Sequence, residues 1–216
     1  DTLVKVLKPL KEVALDKRLF KYYNPGDDNS FSTNSSLYPI QGLWDGSGLS
    51  ASPYFYASTS SNPMPQWFTI DLGVRAKLSR IGKMARIDYA LWTGAHPREF
   101  EFWGSMGPTG VVVPTNEHGF DNTWFKLGYF EQPRPSGYNP DGTVPSSYTA
   151  EDRAMINTGT EFEMDDTKYE HAYDELRYLR VVIVNTFATW DTKATVGQVQ
   201  LGEITPFGQI LEVYGK

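Results

Sequence analysis

The sequence predicts an all-β fold, a sandwich or a barrel, preceded by an N-terminal arm. Three observations carry this expectation. The chain is 14% aromatic, a share that suits pleated, half-buried strands better than helices. Short aromatic and β-branched runs recur: QWFTIDLG (66–73), REFEFWGS (98–105), WFKLGYFE (124–131) and RYLRVVIVNTF (177–187). Clusters of Gly, Pro, Ser and Asn separate them, and no repeated amphipathic helical pattern lies between, which argues against a parallel α/β sheet.

The elements follow in order. Residues 1–23 mix alternating apolar positions with charges before NPGDDNS, the pattern of an arm or linker leaving an upstream domain, and residues 24–216 form the β domain. In GLWDGSG (42–48) the Asp-Gly pair reads as a tight turn, because Gly tolerates the positive φ such a turn needs. The same run offers a carboxylate, a hydroxyl and loop carbonyls, the oxygen donors a hard cation collects. VVIV (181–184) is apolar on both faces and predicts a central strand. PRPSGYNPDGTVPSS (133–147) is too rich in Pro and Gly for a core element and predicts a long surface loop.

Charge and composition exclude several classes. A net charge of −6 disfavours nucleic acid or an anionic membrane as partner, since both reward clustered Lys and Arg; neutral ligands fit better. With no cysteine there is no disulfide framework, thiolate metal site or cysteine nucleophile. No apolar run is long enough to insert in a bilayer, and DTLVKVLKPLKEV lacks the plan of a signal peptide, so an exported protein with this sequence is a processed form.

Candidate chemistry is sparse. His96, His118 and His171 stand in loop-like surroundings without the partners of a hydrolase, and GSMGPTG (104–110) reads as a strand connection rather than a phosphate cradle. The carboxylates of EFEMDD (161–166) read as a solvated loop. The tryptophans say more. Trp67 and Trp103 lie within strand-like runs, whereas Trp92 in ALWTGAHP and Trp190 in TFATWDTK follow apolar stretches in loops. A ring that stacks on the C–H face of a sugar, beside planar polar groups that reach its hydroxyls, is the composition of a glycan site. Trp92, His96, Arg98 and Trp190 are therefore the expected ligand-binding residues, with Tyr54 and Tyr56 in SPYFYAS as walls. The alternative is that both loop rings fold back as a lid on the core.

Taken in order, LWDGSG, QWFTIDLG, HPREFEFWGS, RYLRVVIVNTF and VGQVQLGEITPFG resemble the discoidin-like family, also called coagulation-factor type C domains, over about residues 31–210. HPREFEFWGS and the GTEFE stretch look most similar to C-terminal domains of multidomain surface lipoproteins from glycan-degrading gut bacteria. The resemblance implies an eight-stranded jelly-roll β-sandwich of the galactose-binding-like kind, non-catalytic, holding a glycan in loops at one end. It implies placement on the cell surface or in the periplasm as part of an exported lipoprotein, with upstream domains of the same protein as neighbours. It also implies a structural calcium held by Asp45, by carbonyls near Gly46 to Ser50, and by Glu203. A calcium-free turn is the alternative, because GSGLSAS departs from the commoner D-G-N loop. A structural or protein-interaction module without sugar affinity is the competing function, and an enzyme acting through two carboxylates a more distant one.

Overall fold

The computed structural model of the chain describes residues 12–30, 36–46, 55–86, 91–109 and 117–214. Its strands are β1 (Val13–Ala14), β2 (Lys21–Tyr22), β3 (Tyr56–Ala57), β4 (Gln66–Met84), β5 (Pro97–Ser105), β6 (Phe125–Glu131), β7 (Thr160–Glu163), β8 (Glu175–Thr186), β9 (Gln200–Leu201) and β10 (Glu203–Val213). Two short helices, α1 (Ala150–Thr158) and α2 (Phe187–Thr192), join them. Eight strands share one antiparallel hydrogen-bonded sheet in the order β1-β10-β4-β8-β5-β6, with β2 and β7 also on β4, while β3 and β9 pair separately. This is an antiparallel β-sandwich.

The long strand β4 makes the sandwich. Its first part, Gln66 to Asp71, pairs with β8 and β2, and its last part, Arg80 to Met84, pairs with β10 and β7. The register on β8 shifts between Asp71 and Ala76, so one strand serves both layers. Gly73 sits at this change with φ +66°, and a Cβ there would stand 2.7 Å from the Leu19 carbonyl oxygen. Only glycine meets both demands. Between the layers lie Phe68, Ile70 and Leu72 of β4, Phe100 and Phe102 of β5, and Leu179, Val181 and Ile183 of β8, all 2% exposed or less.

The expected strands are found, and β8 is central, between β4 and β5. Val181 and Ile183 face the main core while Val182 joins a second aromatic cluster with Trp103, Phe120 and Trp124 on the other face. Arg180 of that face is fully buried, paired with Asp27 and Asp28 and covered by the rings of Phe120 and Trp124. Burial pushes the Asp28 carboxyl up to about 7 despite the Arg180 charge and the Thr69 hydrogen bonds.

The expected arm needs correction over its described part. Residues 12–23 are built into the sandwich: β1 pairs with β10, β2 pairs with β4, and Leu15 and Phe20 are buried in the main core. The charged residues between Leu15 and Phe20 disguised this. Residues 1–11 lie outside the described residues. The 133–147 segment has no helix or strand, as expected, yet Asp152 fixes it. Its carboxylate accepts from Arg134 at 3.1 Å, from the Ser136 amide at 3.0 Å and hydroxyl at 2.7 Å, and from the Thr149 amide at 3.1 Å. Burial alone would raise that carboxyl, but these hydrogen bonds hold it down at about 2.

Candidate functional site

A hollow of about 490 Å³ opens where the loop before β5, the 133–147 segment and α2 meet. Its walls include Thr93, Arg98, Val144, Trp190 and Asp191, and Trp92 and Phe187 also border it. Helix α2 starts where Thr186 and Thr189 cap one another, each side chain accepting the other's backbone N–H. Two backbone bonds tie its first turn to the loop before β5, Phe187 N–H to His96 O at 3.0 Å and Ala188 N–H to Gly94 O at 2.8 Å. These bonds hold Trp190 and Asp191 over the end of β5.

The half-buried ring of Trp190 is held by charge. The Arg98 guanidinium lies 3.5 Å from its centroid, and the Lys193 ammonium stands over it at 4.1 Å, both cation–π contacts. Arg98 is fixed in turn, donating to Glu131 Oε1 from Nε at 3.2 Å and Nη2 at 3.1 Å, and to the Gly142 carbonyl at 2.8 Å. Gly142 closes the NPDG turn with φ +80°, and a Cβ there would come within 2.8 Å of the Trp190 ring. The ring thus rests in a frame made by β5, β6 and the 133–147 segment.

Of the residues expected from sequence, Arg98 and Trp190 come together at the rim. Trp92 is corrected: it is 1% exposed, donates its indole N–H to Pro133 O at 2.9 Å and packs on Tyr148. It is part of the pocket floor, continuous with the small core of Ala85, Leu91 and Phe187, so the lid reading holds for this ring. His96 is also buried, 1% exposed, behind that loop. Tyr56 is corrected as well. It is fully buried, its hydroxyl bonded to Ser30, because both residues of β3, Tyr56 and Ala57, are packed inside. Tyr54 lies outside the described residues. Sequence reasoning missed Glu131, Gly142 and Lys193; only Gly142 carries a local signal, the Asn-Pro-Asp-Gly turn.

The expected calcium position has another cation. Glu203 opens β10 and is 3% exposed, and its Oε1 pairs with the Lys17 ammonium and accepts the Gly46 N–H at 3.1 Å. Asp45 is exposed, and residues 47–50, the expected carbonyl donors, lie outside the described residues. An amide N–H and an ammonium on one carboxylate oxygen suit a lysine latch and do not fit a divalent ion at the same oxygen. A second acidic group, Glu101, Glu117 and His118, has its ligand atoms within 4.8 Å of one another. Lys126 already joins both glutamates, at 2.5 Å to Glu101 and 2.7 Å to Glu117. Burial of Glu101 opposes its charge, but hydrogen bonds from His118, Lys126 and Trp103 hold its carboxyl down at about 2.

The acidic stretch 161–166 is spread out. Glu161 pairs with Arg80, and Asp165 caps a turn at Thr167 and pairs with Lys168. Glu163 and Asp165 border a separate hollow of about 340 Å³.

The sandwich has the galactose-binding-like fold. The chain belongs to the DUF5000 family, a domain of unknown function, matched over residues 44–208. It is similar in structure to the SusE-like protein BT2857 from Bacteroides, 27% identical with a TM-score of 0.69, covering 94% of this chain and 69% of that one. It shares its fold with CBM32-3 of a family 31 glycoside hydrolase from Clostridium perfringens (14% identity, TM-score 0.57, 91% of this chain and 95% of that one). The family 32 module of NanJ from the same organism, solved in complex with galactose, also shares it (10% identity, TM-score 0.54, 91% and 99% covered). No curated protein matches the sequence.

Proposed function

We propose that this chain is a non-catalytic carbohydrate-binding domain of an exported bacterial cell-surface protein, retaining a neutral glycan at the Trp190 pocket. The observation that carries the reading is the pocket itself: a half-buried indole held in a fixed frame beside Arg98, Asp191 and Thr93, at the end of a sandwich shared with sugar-binding modules. An aromatic ring with a few fixed polar groups around it is how neutral sugars are held. A single carboxylate, Asp191, among the described lining residues supports binding over hydrolysis, which ordinarily uses a pair. Likeness to a SusE-like protein supports a place on the cell surface, as part of a lipoprotein with upstream domains. Among the described residues no helix is long and apolar enough to cross a membrane.

One observation favours a second reading, a structural or protein-interaction module. Trp92 and Tyr56 are committed to the core, and Lys193 stands over Trp190. A glycan microarray separates the two. Binding to one or more neutral glycans, lost in Trp190→Ala at unchanged melting temperature, is the expected result. Silence of a folded protein across the array overturns the binding reading.

A further inference from the structure

The outer face of β5 and β6 carries features that the sandwich does not need. Cross-strand register places Glu99 opposite Glu131 and Glu101 opposite Tyr129, and directly opposed residues share a face. Phe100 and Phe102 point inward to the main core, so this set lies on the opposite face, where Glu101 is buried and Tyr129 and Glu131 are exposed. Like charges directly opposite destabilise a ladder, yet Glu99 and Glu131 keep that arrangement. Glu99 accepts from the Asn185 amide at 2.6 Å and from the Tyr129 hydroxyl, and Glu131 accepts from Arg98 at 3.1 Å, while the Glu131 side chain remains 47% exposed. Beside them Tyr129 is 39% exposed in the middle of the strand. It has room on its other side as well, bordering the 340 Å³ hollow toward Tyr169.

This face joins the Trp190 pocket without a gap. Arg98 touches both the Trp190 ring, at 3.5 Å, and the Glu131 carboxylate. From Glu131 the two residues of strand to Tyr129 span roughly 7 Å. We propose, building on the reading above, that the site continues from Trp190 along this face, with Tyr129 as a second stacking platform and Glu99 and Glu131 as acceptors for sugar hydroxyls. The ligand is then an extended neutral saccharide chain. A single terminal sugar does not reach Tyr129, and an acidic chain meets opposing carboxylates. Tyr129 titrates high, pushed up to about 12 by its partial burial and then by Glu99, Glu131 and Glu101, which keeps its ring neutral and stacking-competent at every pH of interest.

The test is affinity electrophoresis of the full chain in native gels cast with galactan, galactomannan, xyloglucan or polygalacturonate. The expected result is retardation by at least one neutral chain, weakened about fivefold in Tyr129→Ala, restored in Tyr129→Phe and abolished in Trp190→Ala. Retardation abolished by Trp190→Ala but unchanged in Tyr129→Ala overturns the extended track and leaves the pocket reading standing. Retardation by polygalacturonate alone overturns the neutral-chain assignment. No retardation of the wild type by any chain overturns the pocket reading and this inference with it. Tyr129 is exposed, so a melting curve of Tyr129→Ala matching wild type certifies that its effect is local.

Discussion

Replacing Lys17 by Met isolates the contact that closes the first described segment onto the last long strand. The Lys17 side chain is 20% exposed and that of Glu203 is 4% exposed. Removing the ammonium takes the opposite charge away from a buried carboxylate that also accepts the Gly46 N–H. Breaking a buried pair from one side costs about 3–5 kcal/mol, and the partial exposure of Lys17 places this case at about 2–3 kcal/mol. For a chain of 216 residues that corresponds to a fall in melting temperature of about 5–10 °C. Differential scanning calorimetry in chelator measures it. The double variant Lys17→Met/Glu203→Met should recover most of the loss, since replacing both partners leaves no unpaired charge. Calcium should leave the wild type unmoved and raise the melting temperature of Lys17→Met, because the vacated carboxylate then accepts a cation. A Lys17→Met protein as stable as wild type, or a wild type stabilised by calcium, refutes the latch.

Other expectations follow from buried charges and from the pocket frame. Lys83 is buried, its ammonium 3.4 Å from Pro97 O and 4.9 Å from the Phe100 ring centroid, and burial pulls it down to about 7 from 10.5. A base depressed in the folded state costs stability when charged, so stability should rise as pH increases from about 7 toward 10.5, and Lys83→Met should be more stable with that slope removed, read by urea melts at several pH values. Glu101 behaves oppositely: its carboxyl is depressed from 4.5 to about 2, so its contribution is present above pH 4.5 and lost as pH falls toward 2, a slope absent from Glu101→Gln. Asp152→Ala should cost about 3 kcal/mol by leaving Arg134 buried without its partner, and limited proteolysis should then cut within 133–147. Gly142→Ala should lower stability by about 1 kcal/mol for its positive φ and displace the Trp190 ring, visible as a change in near-ultraviolet circular dichroism.

The strands were legible where alternation and β-branching coincide. REFEFWGS and RYLRVVIVNTF are β5 and β8 to within a few residues, and QWFTIDLG is the start of β4, because their apolar and β-branched residues run between turns marked by Gly and Pro. The extension of β4 to Met84 was not legible: Gly73 looks like a stop, and its positive φ is instead used inside the strand where the pairing changes. The 12–23 segment misled for the opposite reason: it is rich in charge, but Leu15 and Phe20 carry its packing and Lys17 pairs with the buried Glu203. Arg98 and Trp190 were singled out by composition, as a planar cation and an indole, and the structure brings the two side chains together. Trp92 and Tyr56 have similar local sequences but a different fate, set by packing against Tyr148 and Ser30, far away along the chain. Glu131 and Lys193 could not be found at all, because their roles come from register and from a helix end.

The measurement closest to the central claim is a proton–nitrogen correlation titration of the full chain with soluble neutral polysaccharide fragments, following the six tryptophan indoles. The account predicts that the Trp190 indole and the Lys193 and Gly142 amides shift together while the buried Trp92 indole moves little. Saturable shifts confined to another surface, or no shift with any fragment, would contradict it.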